Sequence, residues 1–85
     1  MNPEMMLRHA VRVVENRRRK YGEATALFDH IAKRWSLVPG VKVTAAQVAL
    51  CLIDLKMARL VHDPKHLDSI VDVAGYAACL REVQR

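Results

Sequence analysis

Apolar residues recur at helical spacing along most of the chain, in four blocks. From about Pro3 to about Arg19, the residues Leu7, Ala10, Val11 and Val14 fall at i, i+3, i+4 and i+7, with Arg8, Arg12, Glu15 and Arg19 on the opposite side. That is the period of an amphipathic helix. A second block runs from about Glu23 to about Leu37, with Ala24, Leu27, Phe28, Ile31 and Trp35 along one side. Gly22 between them is a natural helix-ending residue, and Val38-Pro39-Gly40-Val41 is the clearest turn, because proline sets φ and glycine tolerates positive φ.

The third block begins at Thr44, followed three residues later by Gln47, which fits a capping box. It predicts a helix from about Ala45 to about His62. The fourth is expected to start with Asp63 as N-cap and Pro64 in the first helical position, where the missing N–H costs nothing, and to run to about Val83. The expected fold is therefore all-α, with four helices in two antiparallel hairpins. A front pair spans about 3–37 and a back hairpin about 45–83, within one domain of residues 1–85. Both back blocks are apolar on most sides, so they should be central, covered by the front pair or by another subunit.

Charges inside the apolar back hairpin need a reason. At about 100° per residue, Lys56 and Arg59 share a face with Ala49, Leu52 and Leu60, while Asp54 lies nearly opposite with Leu50, Ala58 and Val61. On the fourth helix Asp68 and Asp72 fall together with Gly75, Tyr76 and Cys79. Counting outward from Asp63-Pro64 brings Arg59 and Lys56 level with Asp68 and Asp72. Two arrangements are open. Ion pairs across the hairpin would fix its register; alternatively, a rolled helix would bring Asp54 to the two acids as a three-carboxylate cluster able to hold a hard cation such as magnesium. Gly75 inside a helix costs about 1 kcal/mol against alanine, which points to close approach of another backbone or of a ligand.

Composition narrows the classes. With 52% hydrophobic residues, three Gly and three Pro in 85 residues, the chain reads as folded, yet short enough that self-association would help it. A homo-oligomer is the expectation. Net charge is +5, and all of the excess precedes Thr44: nine Lys or Arg stand there against four acids, while five of each sign follow. The start carries Arg8 and Arg12 and no long apolar core, so it does not read as a secretory signal, and Asp54, Lys56 and Arg59 interrupt the longest apolar stretch. A cytoplasmic protein without a membrane span is expected, with Cys51 and Cys79 as buried thiols.

The run DLKMARLVHDPKHLDSIVDVAGYAA, with RRRKYGEATALFDHIAKRW upstream, resembles a family of small helical proteins of unknown function encoded by bacteriophages and prophages. Members are sometimes described as similar to MazG-type nucleotide pyrophosphohydrolases. That fold holds magnesium and a nucleoside triphosphate with an EExxE motif on one helix and an ExxD motif on the next. No EExxE occurs here, and Asp68 and Asp72 can stand in for only part of the acidic set.

The resemblance and the residues together give the expected function: a phage-type protein binding a nucleotide or nucleotide-derived phosphate ligand, to hydrolyse or to sequester it. Arg59 and Lys56 would hold phosphate, Asp68 and Asp72 would hold magnesium or orient those cations, and Tyr76 would line the pocket. Arg17-Arg18-Arg19-Lys20 also suits the negative end of a helix dipole, and as an anion site it would be closed by Tyr21, so Arg18 and Tyr21 are further candidates. The rival is a non-catalytic inhibitor or adaptor in phage–host conflict that meets a host protein through the basic front helices. Nucleic acid is disfavoured, since no recognition helix or aromatic-rich surface accompanies the cations. His9, His30, His62 and His66 form no metal pattern and read as surface or capping residues, and Trp35 as core.

Overall fold

The computed structural model describes residues 1–84; Arg85, the last residue of the expected domain, lies outside them. The chain forms four helices, α1 (Pro3–Tyr21), α2 (Ala24–Leu37), α3 (Ala45–His62) and α4 (Leu67–Val83), with no strand among the described residues. The all-α, four-helix expectation holds. No helix among those residues is long and apolar enough to cross a membrane.

Local chemistry sets most boundaries. Asn2 caps α1, its Oδ1 accepting from the Met5 N–H at 2.8 Å, and Pro3 follows in the first turn. Gly22 ends the helix at φ +82°, donating its N–H to the Arg18 carbonyl at 2.9 Å. The capping box of α3 is complete: Thr44 Oγ1 accepts from the Gln47 N–H at 3.1 Å, and Gln47 Oε1 accepts from the Thr44 N–H at 2.9 Å. Between α2 and α3, Ser36 Oγ donates to the Ala32 carbonyl at 2.7 Å and accepts from the Val43 N–H at 2.8 Å, which straps the turn onto α2.

The start of α4 differs from expectation. Asp63 closes α3 instead of opening α4, with its N–H on the Arg59 carbonyl at 2.9 Å, and its carboxylate and carbonyl hold the turn through Lys65 and His66. His66 is the N-cap. Its Nδ1 accepts from the Ser69 N–H at 3.2 Å and lies 2.7 Å from the Ser69 hydroxyl, which is fully buried. Because that nitrogen already accepts the backbone N–H, the serine hydroxyl is the donor in the pair.

Helix α4 is the main partner of both α1 and α3. It packs most closely on α3, α1 lies on it, and α2 bridges α3 and α4, whereas α1 barely meets α2 and does not meet α3. The back hairpin is therefore a packed unit, and the front helices rest mainly on it, not on each other. Phe28, Ala32, Val48 and Ala49 form the buried cluster, with Ile31, Trp35, Leu52 and Leu80 packed against it. Three of the six buried apolar residues are alanines, Ala10, Ala32 and Ala49, so the helices approach closely around little bulk. On α1 the buried side is set by Ala10, Met6 and Val14; Leu7 and Val11 of the expected stripe stay exposed. Because α1 has one partner helix, only a narrow stripe of it can be covered.

Gly75 is not a point of backbone contact. A methyl group there would meet only Val14 Cγ2, at an ordinary 3.9 Å. Gly75→Ala should therefore recover helix propensity and stabilise the fold by about 1 kcal/mol in urea denaturation. A loss of stability would show that α1 and α4 sit closer than this.

Candidate functional site

Two cations of α1, Arg17 and Arg18, are tied down by two carboxylates of α4. Asp72 takes Lys56 Nζ at 3.1 Å from α3 and Arg17 at 3.4 Å from α1. Nearly three turns further along α4, Glu82 takes Arg18 at 3.0 Å, and its other oxygen accepts the Thr25 N–H at 2.9 Å. That second contact supplies the side-chain cap that α2 lacks of its own, since its N-cap residue Glu23 makes none. Lys56 and Asp72 are about 15% exposed, whereas Arg17 and Arg18 are half exposed, so only the first pair is well shielded from water.

Of the two arrangements left open by the hairpin, the structure adopts the ion pair, and only in part. Lys56 meets Asp72; Arg59, Asp68 and Asp54 are exposed and make no ion pair among the described residues. Asp54 points away from the hairpin, so no three-carboxylate cluster forms. Among the described residues no three His, Cys, Asp or Glu side chains stand close enough to hold a metal. Asp72 is already committed to two cations, Asp68 lies a turn away in solvent, and among the described residues no buried side-chain polar atom lacks a partner. This donor set does not fit a resident magnesium ion.

A cleft of about 790 Å³ opens between α1, α2 and α4. Apolar side chains, among them Val14, Leu27, Phe28 and Ile31, make most of its wall, and Tyr21 and Tyr76 contribute aromatic surface. Arg17, Arg18 and Arg81 line it together with Asp72 and Glu82. Arg17 and Arg18 pair with the two carboxylates, Arg81 makes no ion pair among the described residues, and Lys56 pairs with Asp72 from outside the cleft. Of the candidate residues, Arg18, Tyr21, Tyr76 and Asp72 converge here; Lys56, Arg59 and Asp68 are not among the lining residues. Sequence reasoning missed Arg81 and Glu82, which sit near the end of α4. Their signal was faint, because only the packing of α1 and α2 on α4 brings them to the same place.

Cys79 also lines the cleft, and burial raises its thiol pKa above the ordinary 9.0; Glu82 adds to this, while Arg17 and Arg18 oppose it. Cys51, expected to be buried, is exposed on the outward side of α3, and both thiols are free. The expectation failed because α3 is covered on one side only.

Fold and cleft define a small all-α protein with a charged, mostly apolar cleft built on α4. The chain belongs to the family described as a domain of unknown function (DUF6378), which matches residues 5–84 and so takes in the whole cleft. It is 39% identical over 69 residues to the Gene 55 protein of Mycobacterium phage L5, covering 80% of this chain and 44% of that relative. To the Gene 55 protein of Mycobacterium phage D29 it is 33% identical over 81 residues, covering 94% of this chain and 54% of the relative. The chain thus spans about half the length of the curated relatives it matches. No solved structure matches it. The resemblance to a phage protein family is in this way shown.

Two measurements check the electrostatics. Lys56→Met strips the shielded partner from Asp72 and should cost about 2 kcal/mol in urea denaturation, against less than about 0.5 kcal/mol for Arg59→Ala; equal effects would contradict the asymmetry. Peptide mass spectrometry after alkylation near pH 8 should find Cys51 modified about tenfold faster than Cys79. Because the folded thiol of Cys79 holds its proton above the unfolded value, stability should be full below pH 9.0 and fall as pH rises beyond it, and Cys79→Ala should lessen that fall.

Proposed function

We propose that this chain binds a nucleotide or nucleotide-derived phosphate ligand in the cleft between α1, α2 and α4. The observation that carries the reading is the convergence of Arg17, Arg18 and Arg81 with Tyr21 and Tyr76 on one apolar cleft of about 790 Å³. That volume lies within the range of about 300–1,000 Å³ usual for small-molecule sites, which are mostly apolar with a few placed polar groups. Guanidinium forks suit phosphate oxygens, and a tyrosine ring offers a base an apolar face. Arg81 makes no ion pair among the described residues, and the ends of Arg17 and Arg18 remain in reach of solvent, so a phosphate can engage them at small cost in lost ion pairs.

The reading favours sequestration over MazG-like hydrolysis. With no group of three donors to hold a metal among the described residues, any magnesium would arrive on the phosphates of the ligand, and the chain's own part is to bind and orient. A second reading, an adaptor that meets an acidic host protein, is supported by Arg8, Arg12 and Arg19, which are exposed, outside the cleft, and free of ion pairs among the described residues.

Calorimetry and thermal shift with ATP, ADP and cyclic nucleotides, with and without magnesium, test the proposal. Micromolar binding to at least one is expected, weakened about tenfold or more by Arg18→Ala and unaffected by Arg59→Ala. Phosphate release on adding magnesium would move the reading to hydrolysis. Silence across the whole panel would end it, and capture of an acidic protein lost in Arg8→Glu but kept in Arg18→Ala would put the adaptor in its place.

A further inference from the structure

The chain leaves more of itself in water than a self-sufficient fold does. Its accessible surface is 6277 Å², where a folded monomer of 9.6 kDa has about 5,100 Å². Its radius of gyration is 13.6 Å against about 12 Å for a compact domain of this length. The surplus, about 1,200 Å² per chain, exceeds the roughly 800 Å² that each partner buries in a stable interface.

Helix α3 is where that surplus is apolar. Its inward side meets α2 and α4, and its outward side meets nothing. Along that outward side Leu50, Met57 and Val61, at i, i+7 and i+11, fall in one stripe and are 53%, 50% and 84% exposed, and Leu55, 54% exposed, lies on the far edge of the same outward side. Exposed Cys51 and Ala58 add to the same surface. Lys56 does not interrupt it, because it turns inward to Asp72.

We propose that this face binds a second copy of the chain, α3 against α3, about a two-fold axis. A two-fold sets a face against itself, which decides between the candidate surfaces. The outward side of α1 also exposes Leu7 and Val11, but Arg8, Arg12 and Arg19 are exposed with them and would meet their own copies. The Leu50–Met57–Val61 stripe of α3 has one charged neighbour, Asp54, while Arg59 lies about 180° round the helix from Leu50, so no row of cations meets its own copy there. The arrangement leaves the cleft free, since Leu52 is the one α3 residue lining it.

Light scattering and sedimentation over a concentration series test this on the whole chain. The mass expected is twice 9.6 kDa. The double variant Met57→Glu/Val61→Glu, with its helix content checked by circular dichroism, should weaken dimerisation about a hundredfold or more. Leu50→Lys, at the other end of the stripe, should do likewise, and it decides the matter if the double variant loses helix. Leu7→Glu/Val11→Glu on α1 should leave the dimer intact. The relatives carry about as many further residues as this chain has, and a segment of that kind is the competing occupant of α3. A native chain that stays monomeric at about 100 μM, where even a modest dimer is associated, would favour it and overturn the proposal. So would a dimer that survives the α3 variants and falls apart with the α1 variant.

Discussion

Two carboxylates on one helix, Asp72 and Glu82, hold the basic half of the chain against the apolar half. The +5 charge sits on residues before Thr44, and without partners those cations would have no fixed relation to the back hairpin. Asp72 reaches both α1 and α3 through Arg17 and Lys56, and Glu82 reaches α1 and the first turn of α2 through Arg18 and Thr25. The half-exposed arginine pairs are each worth up to about 1 kcal/mol, so they orient α1 more than they stabilise it. The Lys56–Asp72 pair is shielded, and its main effect is on register, since a shifted hairpin would leave a charge without its partner.

The cleft follows from the same economy of bulk that makes the core small. Where α1, α2 and α4 meet, the chain supplies Ala24, Gly75 and Ala78, and side chains of that size cannot fill the space between helices held apart by Phe28 and Tyr76. The arginines and carboxylates that anchor α1 then become the polar groups of the opening. Structural and binding roles are thus carried by the same residues, and a ligand that engages Arg17 or Arg18 acts directly on the attachment of α1 to α4.

A third consequence concerns α3. It has neighbours on one side only, so its apolar outward residues and Cys51 remain in water while Val48 and Ala49 are fully buried. Periodicity reports how apolar each side of a helix is, and α3 is apolar nearly all round. Which side meets α4 is set by the ion pair and by the shape of the buried cluster.

Local rules were enough to read the four helices, the Thr44–Gln47 box, the stop at Gly22 and the apolar side of α2, because each depends on residues within a few positions. They were also enough to bring Lys56 level with Asp72, since an antiparallel hairpin pairs positions by distance from its turn. They failed at Asp63, expected to cap α4 where His66 does so through the buried Ser69, and at Arg59, which the same count set beside the acids but which the roll of α3 leaves in solvent. The joining of Arg18, Glu82 and Arg81 around one cleft lay beyond them altogether. Those residues are up to 64 positions apart, and only the docking of α1 and α2 on α4 makes them neighbours. Composition and spacing determined what the helices are and where the charge lies; tertiary packing alone decided which charges meet and which apolar surface is left over, because those depend on how far each helix is rolled about its own axis.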